Sequence, residues 1–208
     1  SVLIQVLLLI AVAFGVPGVL YLHNIGQLAK AARTLRLSTQ YDELTGCLNR
    51  TTFTRIVGDQ LGASASRRLN VAIHFVDLDR FKDVNESMGH AAGDELLRQV
   101  AQRLRKLMGT RERIARLGAD EFAICQPHYS AKPQVVAELA SDIAKALAAP
   151  FEINGRRVNC GASVGYSYFP RDGETVDDLF HAADLALNHA KTGNRGKAVT
   201  FDPAMESE

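Results

Sequence analysis

The stretch VAIHFVDLDRFKDVN, residues 71–85, decides the fold of this 208-residue chain. Its first seven residues, Val71–Asp77, are mostly apolar and rich in β-formers, and they end in an acid. This pattern predicts a buried strand. After Asp77 the polar residues predict a loop or the start of a helix. Free backbone N–H groups at such a turn form a natural cradle for phosphate.

Outward from this strand, helical and strand patterns alternate along the chain. The amphipathic spacing predicts helices at 49–61, Gly93–Met108, Pro133–Ala149 and Val176–Lys191. It predicts strands at Ile114–Leu117, Glu121–Cys125, Val158–Phe169 and Ala198–Phe201. The first two of these strands are separated by Gly118-Ala119-Asp120 alone, which demands a hairpin. This order predicts an α+β sheet with helices packed on one face.

Charge and cysteine content exclude some classes of function. The formal net charge is +1, so there is no overall electrostatic argument for binding nucleic acid. The cysteines, Cys47, Cys125 and Cys160, are scattered, with no C-x-x-C spacing. We expect them to be buried thiols in a reducing compartment.

The N-terminal residues have a different composition. Val2–Leu22 contains 21 residues with no charge, which is long enough to cross a hydrocarbon core of about 30 Å. We predict a transmembrane helix over 1–23, with a signal peptide or a buried soluble helix as alternatives. Lys30, Arg33 and Arg36 follow the span, and the positive-inside rule places the rest of the chain in the cytoplasm.

Residues 24–40 are predicted to be a linker helix. Ile25, Leu28, Ala32 and Leu35 follow a 3-4-3 spacing over about two heptads. The segment is interpreted either as a parallel signalling helix pair that couples the membrane to a dimer, or as a simple amphipathic linker.

Three acids form the candidate catalytic centre. Asp77 ends the first strand, and Asp120 and Glu121 lie at the hairpin turn. If the strands are neighbours, their carboxylates meet and require a cation, for which Mg²⁺ or Mn²⁺ is the best match. Two such ions can activate a hydroxyl and stabilise a leaving pyrophosphate. The alternative is that Asp120 and Glu121 are ordinary exposed turn acids.

Two cations near the end of the last helix are candidate phosphate ligands. Lys191 and Arg195 are four residues apart, so they point the same way if the helical turn persists. Paired cations at that spacing suit a triphosphate. Alternatively, they are solvated charges that the helix dipole favours at a C-terminus.

Six blocks of this sequence, taken together, resemble the GGDEF (diguanylate cyclase) family over residues 41–201. The first two blocks look like the family's D-x-L-T-G-L-x-N-R and D-x-D-x-F-K-x-x-N. The blocks are Asp42-Glu-Leu-Thr-Gly-Cys-Leu-Asn-Arg50, Asp77-Leu-Asp-Arg-Phe-Lys-Asp-Val-Asn85, Gly89-His90 with Gly93-Asp94, Arg116-Leu-Gly-Ala-Asp-Glu-Phe122, Ser163-Val-Gly165, and Ala190-Lys191 with Arg195.

The resemblance implies a fold and a reaction. The fold is a ferredoxin-like sheet of the nucleotidyl-cyclase and polymerase-palm type with helices packed around it. The reaction condenses two GTP molecules to cyclic di-GMP with loss of pyrophosphate, and it requires a homodimer in which two domains face each other. The implied cofactor is Mg²⁺ or Mn²⁺, two per active site. The implied metal ligands are Asp77, Asp120, Glu121 and the carbonyl of Leu78, with Asp120 and Glu121 also catalytic.

The resemblance also assigns the residues that bind substrate. Asn85 and Asp94 would recognise the guanine edge, whose N–H groups need acceptors. Phe81 and Lys82 would cradle the β- and γ-phosphates, and Lys191 and Arg195 would clamp the end of the triphosphate. Gly118 and Ala119 lie in the signature turn next to the nucleotide.

The sequence departs from the family pattern at two places. Ala119 stands where the family has a glycine, and an alanine forced into left-handed backbone loses about 1 kcal/mol. We therefore expect weaker GTP positioning, and Ala119→Gly to raise activity if this residue limits it. The family's R-x-x-D feedback site aligns with Gly109 and Glu112, so we expect no such site.

The C-terminal residues indicate a neighbouring domain. Phe201-Asp-Pro-Ala-Met205 resembles the junction between a GGDEF domain and an EAL phosphodiesterase domain. The expected organisation is a GGDEF domain at 41–202 and the start of a linker at 203–208. The leading hypothesis is a cyclase held at the bacterial inner membrane with its catalytic domain in the cytoplasm. The alternative is a catalytically degenerate GTP-binding module that regulates an adjacent EAL domain.

Overall fold

The computed structural model describes residues 40–67, 70–108, 113–128, 133–193 and 195–207. The predicted membrane segment at 1–23 lies outside these residues. So do the predicted linker helix, except for Gln40, and the positions aligned with the R-x-x-D site. Of the helices formed by the described residues, none combines the length and the apolar character needed to cross a membrane.

The described helices and strands alternate largely as the sequence pattern predicts. The helices are α1 (Arg50–Arg67), α2 (Phe81–Met88), α3 (His90–Met108), α4 (Pro133–Ala148) and α5 (Val176–Gly193). The strands are β1 (Leu48–Asn49), β2 (Asn70–Leu78), β3 (Ile114–Arg116), β4 (Glu121–His128), β5 (Phe151–Ile153), β6 (Arg156–Val158), β7 (Ala162–Phe169) and β8 (Ala198–Thr200). A short 3₁₀ helix, Pro203–Ser207, follows.

Six strands form one mixed sheet in the order β1-β3-β4-β2-β7-β8. The four central strands are antiparallel to one another, whereas β1 pairs in parallel with β3 and β8 pairs in parallel with β7 at the two edges. The segment β2-α3-β3-β4-α4-β7 is therefore a βαββαβ unit of the ferredoxin-like type. The predicted palm-like sheet is confirmed.

Helices cover both faces of this sheet, so the expectation of helices on one face is wrong. One core cluster packs α3 and α4 against one face, and a second packs α1 and α5 against the other. The reason lies in β2, whose residues from Val71 to Val76 are all buried. A mostly apolar strand that is buried along both of its faces must be covered on both sides.

Some local elements differ from the sequence prediction. The predicted strand Val158–Phe169 is interrupted at 159–161, and its first part pairs with β5 in a separate hairpin. Asn154 and Gly155 at its turn both have positive φ, as a type I′ turn requires. Cys47, Cys125 and Cys160 are buried and free, as predicted.

Gly165 in β7 sets how closely α5 approaches the sheet. A Cβ atom at this position would lie 2.1 Å from the backbone nitrogen of Leu187 and 2.4 Å from the carbonyl oxygen of Ala183. No side chain fits there, so α5 packs directly on the strand. This contact is one turn before Lys191 and therefore positions it.

Candidate active site

The ends of β2 and β4 bring the predicted acids together. Asp77 and Glu121 are direct partners in the antiparallel register. The backbone N–H of Leu78 donates to the carbonyl oxygen of Asp120 at 3.2 Å, which draws the hairpin turn against the end of β2. Sheet register thus joins two stretches separated by more than 40 residues in sequence.

An open cleft of about 420 Å³ lies at this edge of the sheet. It contains two of the predicted acids and the residues predicted to hold phosphate. The lining residues are Asp77, Leu78, Asp79, Arg80, Phe81, Lys82, Asp83, Asp120, Lys191 and Arg195. The cleft therefore combines carboxylates, cations and a helix N-terminus.

The environment of the cleft raises the pKa of two groups in or beside it. Burial raises the pKa of the Asp120 carboxyl, and the neighbouring charge of Asp77 raises it further. Burial also raises the pKa of the Cys160 thiol to about 12, with further contributions from Asp79, Asp120 and Asp77. Partly buried carboxylates that lie this close together favour a bound cation.

Lys191 provides a positive charge at the centre of the cleft. Its Nζ donates to Oδ2 of Asp77 at 2.7 Å, and both side chains are mostly buried. Arg195, two residues beyond the end of α5, lines the same cleft. The structure therefore brings Lys191 and Arg195 to one site although the helix ends between them.

The donor set fits a hard divalent cation. Among the described residues, no group of three or more His, Cys, Asp and Glu side chains has the arrangement of a complete metal site. Magnesium, however, is commonly held by one or two carboxylates, with substrate phosphates and waters completing its shell. Asp77, Asp120 and the carbonyl of Leu78 supply such a partial set, and burial together with the nearby Asp77 charge raises the pKa of the Asp120 carboxyl.

The turn after β2 presents an uncapped helix N-terminus to the cleft. Arg80 has φ 59°, which is left-handed backbone, and α2 begins immediately after it without a side-chain cap. Phe81 is buried and anchors the turn, whereas Lys82 is exposed and lies 3.5 Å from Glu86. The N–H of Asp83 donates to the carbonyl oxygen of Arg80, so the N–H groups of Phe81 and Lys82 before it stay the predicted phosphate donors.

The residues predicted to recognise guanine lie on two consecutive helices. Asn85 of α2 packs against Gly93 of α3, where an added Cβ would lie 2.0 Å from its Oδ1 atom. Phe81 closes the same spot from the other side, at 3.3 Å from that Cβ position. Asp94, the next residue along α3, is exposed. The absence of a side chain at Gly93 makes room for the Asn85 amide.

Glu121 lies at the edge of a neighbouring pocket instead of in the cleft. Its Oε2 atom is 3.8 Å from the Arg50 guanidinium, and both side chains are about half exposed. This second pocket, of about 360 Å³, is floored by Phe75 and Phe180. The backbone of Glu121 is opposite Asp77, but its carboxylate faces Arg50, so its role as a metal ligand and base stays a prediction.

The signature turn does not contain the backbone strain that the sequence suggests. In the described part of the chain, the non-glycine residues with positive φ are Arg80 and Asn154, so Ala119 has an ordinary negative φ. Gly118 is also outside the positive-φ set, and an added Cβ there would meet Oε2 of Glu121 at 2.8 Å. The expectation that Ala119 strains the turn is therefore wrong, because the turn does not use left-handed backbone at that position.

Two polar contacts near the cleft were not assigned from the sequence. Arg116 donates to the Asp42 carboxylate at 3.2 Å and to the carbonyl oxygen of Ala119 at 2.8 Å. It therefore joins the turn that begins at Asp42 to the signature turn. Asp79 accepts a hydrogen bond from Ser163 at 2.9 Å. All four side chains lie within the sequence blocks that resemble the GGDEF family, but their partners are 74 and 84 residues away in sequence.

Comparison with known proteins identifies related sequences. The family profile described as diguanylate cyclase, GGDEF domain, matches residues 39–197. The chain is 36% identical over 188 residues to an uncharacterized signaling protein of Caulobacter vibrioides, covering 90% of this chain and 23% of that protein. It is 35% identical over 184 residues to the bifunctional diguanylate cyclase/cyclic di-GMP phosphodiesterase MucR of Pseudomonas aeruginosa, covering 86% and 26%. The chain thus spans about a quarter of the length of these two relatives.

Solved structures agree with this relationship. The GGDEF domain of TpbB from Pseudomonas aeruginosa superposes with a TM-score of 0.75 at 33% identity, covering 81% of this chain and 99% of that one. The full TpbB protein, named a diguanylate cyclase, is 32% identical over 179 residues, covering 84% of this chain and 41% of that protein. Since the family profile covers most of the chain and the fold and cleft agree with it, the chain belongs to the diguanylate cyclase, GGDEF-domain family.

Proposed function

We propose that this domain is an active diguanylate cyclase that condenses two GTP molecules to cyclic di-GMP. The observation that carries the proposal is the cleft in which Asp77 and Asp120 face Lys191, Arg195 and the N-terminus of α2. Carboxylates beside cations in one cleft suit a metal-bound triphosphate better than they suit a protein contact.

In this proposal the residues of the cleft hold one GTP. Asn85 and Asp94 accept hydrogen bonds from the guanine edge, and the first N–H groups of α2 bind phosphate oxygens. Lys191 exchanges its Asp77 partner for the triphosphate, which Arg195 also contacts. Asp77, Asp120 and the Leu78 carbonyl would hold divalent cations, which would supply Lewis-acid stabilisation of charge on the phosphates.

Bond formation requires a second domain. The 3′-hydroxyl oxygen of one GTP attacks the α-phosphorus of the other, the bond to pyrophosphate breaks, and the hydroxyl proton is transferred to a base. We assign this base to Glu121, whose backbone is opposite Asp77 in the sheet and whose carboxylate must leave Arg50 to reach the hydroxyl. Two such transfers across a symmetric pair of domains close the ring, so the active form is a homodimer.

Ala119 is compatible with turnover. Its backbone is unstrained, its side chain is exposed, and the charged residues of the cleft are all present. These observations favour catalysis over a degenerate role. The relatives named as phosphodiesterases, such as NbdA of Pseudomonas aeruginosa at 34% identity, support a second candidate, in which the domain binds GTP and regulates an adjacent phosphodiesterase domain.

The cellular setting is also a proposal. The uncharged run Val2–Leu22 and the cations that follow it support tethering at the bacterial inner membrane, with the catalytic domain in the cytoplasm. Protease accessibility in spheroplasts and inverted vesicles tests this arrangement, since degradation of the catalytic domain in intact spheroplasts contradicts it.

The test of the proposed activity is incubation of the purified chain with GTP and Mg²⁺. We expect cyclic di-GMP and pyrophosphate in a 1:2 ratio, and we expect Asp120→Ala to abolish turnover while the far-UV spectrum stays unchanged. GTP binding without product supports the regulatory candidate. Absence of GTP binding by the folded wild-type chain contradicts both candidates.

A further inference from the structure

We propose that Asp79 and Ser163 form a positioning pair that sets the distance between the two phosphate-binding segments of the cleft, the Arg80–Lys82 turn and the Arg195–Gly196 loop. The inference rests on the proposed function, because it assigns the pair to recognition of a nucleoside triphosphate over a monophosphate. Neither residue is assigned to contact the ligand; both act through Arg195.

The pair is a chain of hydrogen bonds between the two segments. Ser163 Oγ donates to Oδ1 of Asp79 at 2.9 Å, and the backbone N–H of Gly196 donates to the same Ser163 oxygen at 3.3 Å. Gly196 has φ 81° and directly follows Arg195. The Ser163 hydroxyl therefore links Asp79, which precedes the Arg80–Lys82 turn, to the loop that carries Arg195.

The surrounding backbone holds this pair in place. The N–H of Asp79 donates to the carbonyl oxygen of Gly161 at 2.9 Å, and the thiol of Cys160 donates to the carbonyl oxygen of Asp79. Ser163 is completely buried. A buried hydroxyl between fixed backbone groups has little freedom, so the spacing it sets is well defined.

Charge supports a positioning role for Asp79. A carboxylate that lines a triphosphate cleft repels the ligand, so it needs a compensating function at that place. Asp79 has one, since its Oδ1 atom satisfies the buried hydroxyl of Ser163. If the pair acts as an acceptor and a donor, an amide at position 79 can replace the carboxylate, whereas a methyl group cannot.

The experiment measures calorimetric affinities of the full chain for 3′-deoxy-GTP and for GMP with Mg²⁺. The 3′-deoxy analogue lacks the attacking hydroxyl and cannot be condensed. The readout is the affinity for 3′-deoxy-GTP divided by the affinity for GMP. Loss of Arg195 positioning should weaken the contacts to the terminal phosphates, which only the triphosphate has, and leave the contacts to guanosine unchanged. We expect Ser163→Ala and Asp79→Ala to lower this ratio about tenfold, and Asp79→Asn to keep at least the wild-type ratio.

Ser167→Ala is the matched control. Ser167 lies on the same strand, is equally buried, and donates one hydrogen bond to the carbonyl oxygen of Leu179 in α5. Its substitution removes a comparable bond but should leave the affinity ratio unchanged. An equal drop for Ser167→Ala, an unchanged ratio for Asp79→Ala, or a drop for Asp79→Asn overturns the positioning pair. Failure of the wild-type chain to bind 3′-deoxy-GTP refutes the proposed function instead.

Discussion

Gly165→Ala tests whether the close approach of α5 to the sheet positions the cations of the cleft. The added Cβ would lie 2.1 Å from the backbone nitrogen of Leu187, whereas ordinary contact begins at 3.4 Å, so the helix must retreat by about 1.3 Å. The obstacle is helix backbone and not the end of a flexible side chain. Local rotamer changes therefore cannot relieve it.

The displacement has two consequences. Overpacking at a buried contact of this kind costs about 1–3 kcal/mol, and we expect the upper end because two backbone atoms are involved. The same retreat moves Lys191, one turn further along α5, away from Asp77, to which it is now bonded at 2.7 Å. A misplacement of about 1 Å can lower turnover about 10²-fold.

Urea unfolding and the rate of cyclic di-GMP formation measure these effects. Gly62→Ala in α1 is the matched control, because a Cβ there has nothing within 4 Å. We expect that control to be neutral or more stable, as alanine is the better helix former. If Gly165→Ala unfolds within 0.5 kcal/mol of wild type (roughly the scale of a neutral surface substitution) and retains full activity, α5 placement does not control the cleft.

Three further outcomes follow from the geometry of the site. Gly93→Ala should displace the Asn85 amide, whose Oδ1 atom lies 2.0 Å from the new Cβ. We therefore expect a higher KM for GTP and weaker discrimination against ATP. An unchanged preference for GTP over ATP would show that Asn85 does not recognise the base. The pKa of the Asp120 carboxyl is raised in the folded state above its ordinary value of 3.8. Its protonated form therefore contributes stability at low pH, and this contribution is lost as the pH rises from about 3.8 through the folded pKa. Asp120→Asn should therefore gain stability relative to wild type over that window in metal-free buffer, and parallel pH profiles would contradict this. Ala119→Gly should change the cyclase rate less than about twofold, since Ala119 is unstrained, and a large increase in rate would show that its methyl group obstructs substrate.

Much of the fold follows from short-range sequence pattern. Helical spacing predicted α3, α4 and α5 to within three residues of their observed ends, because amphipathic periodicity is a local property. The covering of both sheet faces was missed, although the run Val71–Val76, which is apolar except for His74, is its signal. The β5–β6 hairpin was also missed, and there Asn154-Gly155 was the available signal.

Part of the site could also be predicted. A strand that ends in Asp77 and a hairpin turn that carries Asp120 place two carboxylates at one sheet edge once the strands pair. The direction of the Glu121 carboxylate could not be predicted, because it depends on Arg50 at the start of α1, 71 positions away. The supposed strain at Ala119 was wrong for a similar reason: φ at a turn depends on how the hairpin closes.

The sequence by itself determined the types and order of the elements, the carboxylates and cations of the cleft, and the family. These depend on residue chemistry and on spacing along the chain, which are visible without coordinates. Tertiary structure alone decided the contact of Lys191 with Asp77, the closeness of α5 to Gly165, and the link from Asp79 through Ser163 to Gly196. Each joins segments more than 15 residues apart, and such distances are set by packing of the whole sheet and its helices and not by any local preference of the chain.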